Sequence, residues 1–257
     1  MSVKGLIAAG GEATRLGELT RVVNKHLLPV GGWPMIYYPL QLLQLAGVRE
    51  VLIVTGQGHA GQLIDLLGNG QLPRRGSEDA LFDLDLTYKV QVEPGGIAQV
   101  VGMAESFAGG DKLVVCLGDN IFEYAQANAV AAWDDGAMVF VTEVPDPENF
   151  GVIAYGEDGG VADIVEKAGV VDMRYDRPPS NDAVVGLYCL PPEVFEIIDG
   201  LEPSSRGELE ITDVNREYAR RGRLAVRRVE GWWHDGGKHW EDLARVGRLI
   251  EETGVNK

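Results

Sequence analysis

The 257-residue sequence predicts an α/β fold in which a mainly parallel central sheet flanked by helices is followed by a smaller antiparallel portion. In the first half, apolar β-branched runs alternate with segments whose apolar residues recur at helical spacing, the pattern of βαβ units. In the second half, strand patterns flank turn sequences such as GEDGG, which suits antiparallel pairing. A hydrophobic content of 45% covers a substantial core and excludes a disordered chain.

Strands are expected at 4–8, 51–55, 86–90, 112–117 and 137–142, with helices between them at 34–46, 59–67, 97–107 and 124–133. The first helix opens with Pro34 and stops at Gly47, as helix ends prefer. Strands at 151–155 and 161–166 flank GEDGG, and a strand at 183–190 follows a loop containing RPPS. Helices at about 209–221 and 238–252 close the sequence, separated by a strand near 224–229. No repeat, low-complexity tract or linker interrupts this order, so a single domain is expected.

Charge and composition exclude several classes of function. Lys and Arg number 23 against 39 Asp and Glu, a net charge of -16, and such a surface repels a nucleic-acid backbone on average. No apolar run approaches the ~18 residues of a membrane span, and the N-terminus lacks a secretory pattern, so a cytoplasmic protein without membrane contact is expected. The two cysteines, Cys116 and Cys189, are far apart in apolar runs and read as buried thiols. The four histidines have no metal-ligand spacing, and no Ser or Cys sits in a nucleophile setting.

Residues 1–30 run against the overall charge, with Lys4, Arg15, Arg21 and Lys25 against Glu12 and Glu18. There the strand KGLIA runs into AGGEATRLGELT, a glycine-rich turn at a strand's carboxyl end, where open α/β sheets bind ligands. Amides freed by Gly10 and Gly11 could wrap a phosphate, although glycines after a strand are also ordinary turn formers. The strand KLVVCLGDN delivers Asp119 to the same edge, and Asp235 lies in GWWHDGGKHW. Each carboxylate suits Mg²⁺, and each could equally cap the turn or helix that follows.

At this level of detail the sequence resembles a family. GGEATRLGELTRVVNKHLLPVGGWPMIYYPLQLLQLAG, YKVQVEPGGIAQ, LGDNIF, FGVI at Phe150, VEK at 165–167, AVVGLY, RGELEITDVN and WHDGGKH are similar, in order, to the motifs of the sugar-1-phosphate nucleotidylyltransferases, and most of all to their thymidylyltransferase branch. The resemblance implies a Rossmann-like nucleotidyltransferase fold with a nucleotide-binding part at about 1–145, a sugar-binding part at about 146–237 and a C-terminal helix at 238–253. It implies transfer of a nucleotidyl group from dTTP to a hexose 1-phosphate, with glucose 1-phosphate foremost, by direct attack on the α-phosphorus. The products would be a dTDP-sugar and pyrophosphate. A homo-oligomer is the family's habit.

Site residues carry over by position. Gly10, Gly11, Ala13 and Thr14 resemble the turn along the triphosphate, and Arg15 and Lys25 the pair that neutralises the α-phosphate and the leaving pyrophosphate. Asp119 and Asp235 match the carboxylates that hold Mg²⁺. Gln91 and Gly96 fall where the base is read, and a glutamine amide suits the N3 hydrogen and O4 acceptor of thymine or uracil. Gly151, Glu166, Lys167, Val185 and Arg206 align with the hexose-phosphate positions.

The sequence also departs from the family. Ala13 replaces the usual glycine, LGELT lacks the usual proline, VEKA replaces EEKP, and stretches 71–85 and 169–181 are longer than usual. The short C-terminus argues against feedback control. Two alternatives stay open: a UTP-dependent enzyme using the same site, since one methyl separates thymine from uracil, and, prompted by Ala13, a nucleotide-sugar sensor that has lost turnover. A dinucleotide oxidoreductase would need a GxGxxG turn that is absent.

Overall fold

The computed structural model describes residues 2–11, 20, 23–73, 80–236 and 240–257. Its elements run in the order β1 (Val3–Ala9), β2 (Pro29–Val30), β3 (Trp33–Pro34), α1 (Tyr37–Leu45), β4 (Glu50–Gly56), α2 (Ala60–Leu67), β5 (Gln71–Pro73), β6 (Ala80–Asp83) and β7 (Asp85–Gln91). They continue as α3 (Ile97–Gly102), α4 (Glu105–Ala108), β8 (Lys112–Leu117), β9 (Asn120–Phe122), α5 (Ala127–Ala131), β10 (Ala137–Glu143), β11 (Gly151–Tyr155) and β12 (Val161–Glu166). The last are β13 (Asp182–Leu190), α6 (Val194–Asp199), α7 (Ile211–Arg220), β14 (Leu224–Arg228), β15 (Trp233–Asp235) and α8 (Trp240–Thr253). The chain forms two compact units, one of Ser2–Pro94, Val114–Ala132 and Glu230–Lys257, the other of Gly95–Leu113 and Trp133–Val229.

In the first unit β1 pairs in parallel with β4, and β4 in parallel with β7, while β8 takes the other side of β1. Leu6, Ile7, Val51, Leu52, Ile53, Val54, Val114 and Val115 are all fully buried, which explains their unbroken apolar runs. The ladder registers Ala9 against Thr55 and Gly56 against Gln91, and the Gly118 amide donates to the Ala8 carbonyl at 2.9 Å. The carboxyl ends of β1, β4, β7 and β8 therefore lie along one edge. α1 buries Tyr38, Leu40, Leu42 and Leu43 and ends before Gly47, whose φ of 82° only glycine adopts easily. Its start differs from the expected 34–46. Pro34 belongs to β3, opposite Pro29, and the amides of Met35 and Ile36 are taken by the carbonyls of Leu28 and His26, so no helical turn forms there.

The expected helix at 124–133 shrinks to α5, because the Ala125 amide donates to Lys257 and Gln126 takes a φ of 53°. Val30, Met35, Tyr38, Ile121 and Val246 form a core cluster against which Trp33, Trp232, Leu243 and Ile250 pack.

In the second unit β10 pairs antiparallel with β13, β11 antiparallel with both β12 and β13, and β14 parallel with β10. The expected helix at 97–107 breaks into α3 and α4 at Met103–Ala104; Gly102, the last residue of α3, packs where a Cβ would come within 3.2 Å of Ile198 on α6. That glycine allows the close approach. α7 buries Ile211, Thr212, Val214, Asn215 and Tyr218, the stripe of an amphipathic helix. The fold class is α/β, with the parallel ladder of β1, β4 and β7 and small antiparallel ribbons in the first unit and mostly antiparallel strands in the second. Among the described residues no helix is long and apolar enough to cross a membrane.

Candidate active site

The phosphate-binding turn expected after β1 begins with Gly10 and Gly11, the latter at φ 92°. Ala13, Thr14 and Arg15 lie outside the described residues. Gly10 stands against Gln91 at the end of β7: a Cβ at Gly10 would come within 2.9 Å of the Gln91 Oε1. The ladder from β1 through β4 to β7 creates this neighbourhood, bringing the turn glycine and the buried amide together across 81 positions of sequence, 91 minus 10.

Lys25 opens a short 3₁₀ turn, Lys25–Leu27, capped by Asn24, whose side chain accepts from the His26 amide at 2.9 Å. The Asn24 side-chain amide in turn reaches the Ala9 carbonyl at 3.4 Å, which ties the turn to the end of β1. From there the Lys25 ammonium donates to the Asp119 carboxylate, both side chains being about one-seventh exposed. Burial pushes the Asp119 carboxyl up, but the Lys25 charge, with hydrogen bonds from Lys25 and Asn120, outweighs it and holds the group below the ordinary carboxylate range. His26 is fully buried beside them, and burial first, then Lys25, lowers its imidazole to about 3, so it stays neutral.

Asp119 and Asp235 lie on neighbouring backbone. β15 pairs antiparallel with β9, opposing Asp235 to Asn120, and the Gly236 amide donates to the Asp119 carbonyl at 2.8 Å. Asn120 holds the ladder from both sides, donating to the Asp119 carboxylate at 2.9 Å and accepting from the Trp233 indole at 2.6 Å. Two carboxylates, 116 positions apart by subtraction of 119 from 235, thus share one ribbon. Among the described residues no group of three or more His, Cys, Asp or Glu side chains forms a metal cage.

In the second unit, Gly151 of β11 is paired with Glu166 of β12, and a Cβ on Gly151 would stand 3.0 Å from both the Glu166 carboxylate and the Thr212 hydroxyl. Thr212, in the first turn of α7, donates to that carboxylate. Lys167 Nζ lies 3.6 Å and Arg206 Nη2 3.8 Å from Glu166 Oε1. Arg206 is held by a fork on Glu210, with both Nη2 contacts at 2.8 Å, and by Glu208 at 3.2 Å. Gly151, Glu166, Lys167 and Arg206 therefore form one cluster, while Val185 lies buried in β13. Gly96, at φ 90°, lies against the Leu209 backbone, which exchanges hydrogen bonds with Gly95 and Ala98.

Sequence reasoning missed Asn120, Thr212 and Glu210. Asn120 and Thr212 sit inside the motifs LGDN and RGELEITDVN, but only the fold shows that they donate to Asp119 and Glu166.

A family model described as nucleotidyl transferase matches residues 4–253. A glucose-1-phosphate thymidylyltransferase of Neisseria meningitidis serogroup A is 41% identical over 256 residues, covering 97% of this chain and 83% of the relative. A crystal structure of a Bacillus anthracis protein, provisionally assigned as a glucose-1-phosphate thymidylyltransferase and holding sucrose, superposes with a TM-score of 0.86 at 40% identity, covering 98% of this chain and 96% of the other. A UDP-glucose pyrophosphorylase complexed with UDP-glucose follows with a TM-score of 0.83 at 25% identity, covering 98% and 99%. With a family model spanning nearly the whole sequence and relatives of this identity, the chain belongs to the nucleotidyl transferase family.

Proposed function

We propose that the protein transfers a thymidylyl group from dTTP to a hexose 1-phosphate, glucose 1-phosphate first among them, releasing pyrophosphate. The observation that carries this reading is the edge formed by β1, β7 and β8, where Gly10 meets Gln91 and Lys25 meets Asp119. Turn amides, a base-reading amide, a cation and a carboxylate are what a bound nucleoside triphosphate requires at one place.

The reaction brings two anions into line, so the protein's work is alignment and charge neutralisation. Lys25 is assigned to the α-phosphate and the leaving pyrophosphate, together with Arg15, and Gly10, Gly11, Ala13 and Thr14 to the triphosphate. Gln91 and Gly96 are assigned to the base. Glu166 accepts from sugar hydroxyls, Lys167 and Arg206 hold the sugar phosphate, and Gly151 stands beside Glu166, whereas Val185, aligned with the same positions, is buried in β13. The hard oxygen donors of Asp119 and Asp235 suit Mg²⁺, which when bound supplies positive charge to the phosphates. Lys25 and Asp119 pair with each other, so each charge is held in place by the other.

A second reading, with UTP as donor, is supported by the UDP-glucose-bound relative and by an amide that serves thymine and uracil alike. One methyl contact separates the two, worth ~1 kcal/mol, so selectivity of about tenfold or less is expected. We assign the reaction to the cytosol as a homo-oligomer, to be checked by fractionation and gel filtration. Incubating the protein with Mg²⁺, glucose 1-phosphate and each nucleoside triphosphate, and following pyrophosphate, tests the proposal. Release with dTTP, well above that with the purine nucleotides, is expected. No release with any sugar phosphate would overturn it in favour of the sensor.

A further inference from the structure

β12 ends on Glu166, Lys167 follows, and the chain reverses directly after them. Lys167 sits at φ 43°, a left-handed conformation that a lysine keeps only where its surroundings over-determine it. The turn closes on itself: the Lys167 amide donates to Phe150, the Asp172 amide to Glu166, and the amides of Val170 and Val171 to Lys167, all at 3.0 Å. Apolar packing does not hold its outer part, because Val170 is 70% and Met173 75% exposed.

The turn is held by charge. The Asp172 carboxylate, 8% exposed, accepts from Arg174 at 2.6 and 2.9 Å and from Arg216 Nη2 at 3.0 Å. Arg216 belongs to α7 and is only 15% exposed. Its guanidinium also donates to the Ile164 carbonyl at 2.6 Å, to Asp163 at 2.8 Å and to Asp213. One planar fork thus joins β12, the turn and α7, the helix whose Thr212 holds Glu166. Buried ion pairs of this kind add little net stability compared with apolar packing, but they can select one conformation.

We propose that Arg216 is a positioning residue for the sugar phosphate: through Asp172 it keeps the 167–172 turn closed, and so presents Lys167 and Glu166 in one arrangement. This rests on the reading of Glu166 and Lys167 given above. Arg216 and Arg174 together tie the 169–181 stretch to β12 and so to the sugar-phosphate cluster.

The test uses Arg216→Met, Arg216→Lys and Asp172→Asn in the full chain, with KM for glucose 1-phosphate and for dTTP measured separately. Arg216→Met and Asp172→Asn are expected to raise KM for glucose 1-phosphate by tenfold or more and to leave KM for dTTP within about twofold. Arg216→Lys recovers only part of the effect, since an ammonium cannot span the acceptors that a guanidinium reaches. Arg174→Gln, on the exposed side of the same carboxylate, shifts it by less than about threefold. A lower melting temperature with both KM values unchanged, or an equal rise in both, would overturn the proposal. Tryptic cleavage after Lys167 and Arg174 in substrate-free protein gives a second readout. It should quicken in Arg216→Met and Asp172→Asn, and unchanged cleavage likewise counts against the clamp. An inactive wild type whose variants open the turn would refute the proposed function and leave the clamp standing.

Discussion

The Lys25–Asp119 pair allows stability and catalysis to be separated. Its side chains are 15% and 13% exposed, so removing either takes a close, largely buried charge partner from the other. Breaking a fully buried pair costs ~3–5 kcal/mol, and slight exposure argues for the lower end, ~3 kcal/mol, in Lys25→Met or Asp119→Asn alone. For a chain of this size that corresponds to a fall in Tm of roughly 6–12 °C. Removing both charges leaves neither stranded, so the double variant should lose no more than either single one, a coupling of ~3 kcal/mol. Urea denaturation of ligand-free protein, without divalent cation, reads these values. Turnover should fall by ~10² or more in all three variants, because each removes a group assigned to the phosphates or to the Mg²⁺ that neutralises them. A double variant destabilised by the sum of the singles, or single variants within ~0.5 kcal/mol of wild type, would refute the argument.

Three further outcomes are expected. An unfolded histidine titrates near 6.5, whereas buried His26 is held to about 3; the unfolded chain therefore takes up a proton that the folded one refuses, and stability falls as pH drops from 6.5 towards 3, by up to ~1.4 kcal/mol per unit. His26→Gln should flatten the urea midpoint between pH 6.5 and 4.5, and an unchanged slope would disprove this origin. A methyl at Gly96 would stand 2.3 Å from the Leu209 carbonyl at a φ of 90°, so Gly96→Ala should cost ~2–4 kcal/mol in urea unfolding; a cost under ~0.5 kcal/mol would contradict the geometry. Cys116 and Cys189 are fully buried, which pushes both thiols up, and they should resist a chromogenic disulfide reagent in native protein while reacting in denaturant; reaction of either native thiol would show that it is reachable.

The limits of local pattern show at particular elements. β8 falls where its apolar run predicts, at Lys112–Leu117, because a strand buried on both faces leaves an unbroken signature. The first helix was expected to begin at Pro34, since proline suits an opening helical turn as well as a short ribbon; contacts from Leu28 and His26 decide for the ribbon. α6 was not expected at all, being six residues long behind Pro191 and Pro192, too short for periodicity to register.

By itself the sequence determined the α/β class, the main strands, the buried thiols and, through its motifs, the residues at which chemistry was to be sought. Which of those residues meet was decided only by tertiary structure. Lys25 and Asp119 stand 94 positions apart and touch because β8 lies beside β1; Glu166 and Thr212 stand 46 apart and touch because α7 lies against β12. The same holds for Arg216, which reads as one cation on an amphipathic helix and becomes a clamp only where Asp163, Asp172 and Asp213 surround it. Periodicity, turn residues and capping act over a few positions of chain, whereas the energy of a charge depends on what lies within a few ångströms of it, and strand order sets that.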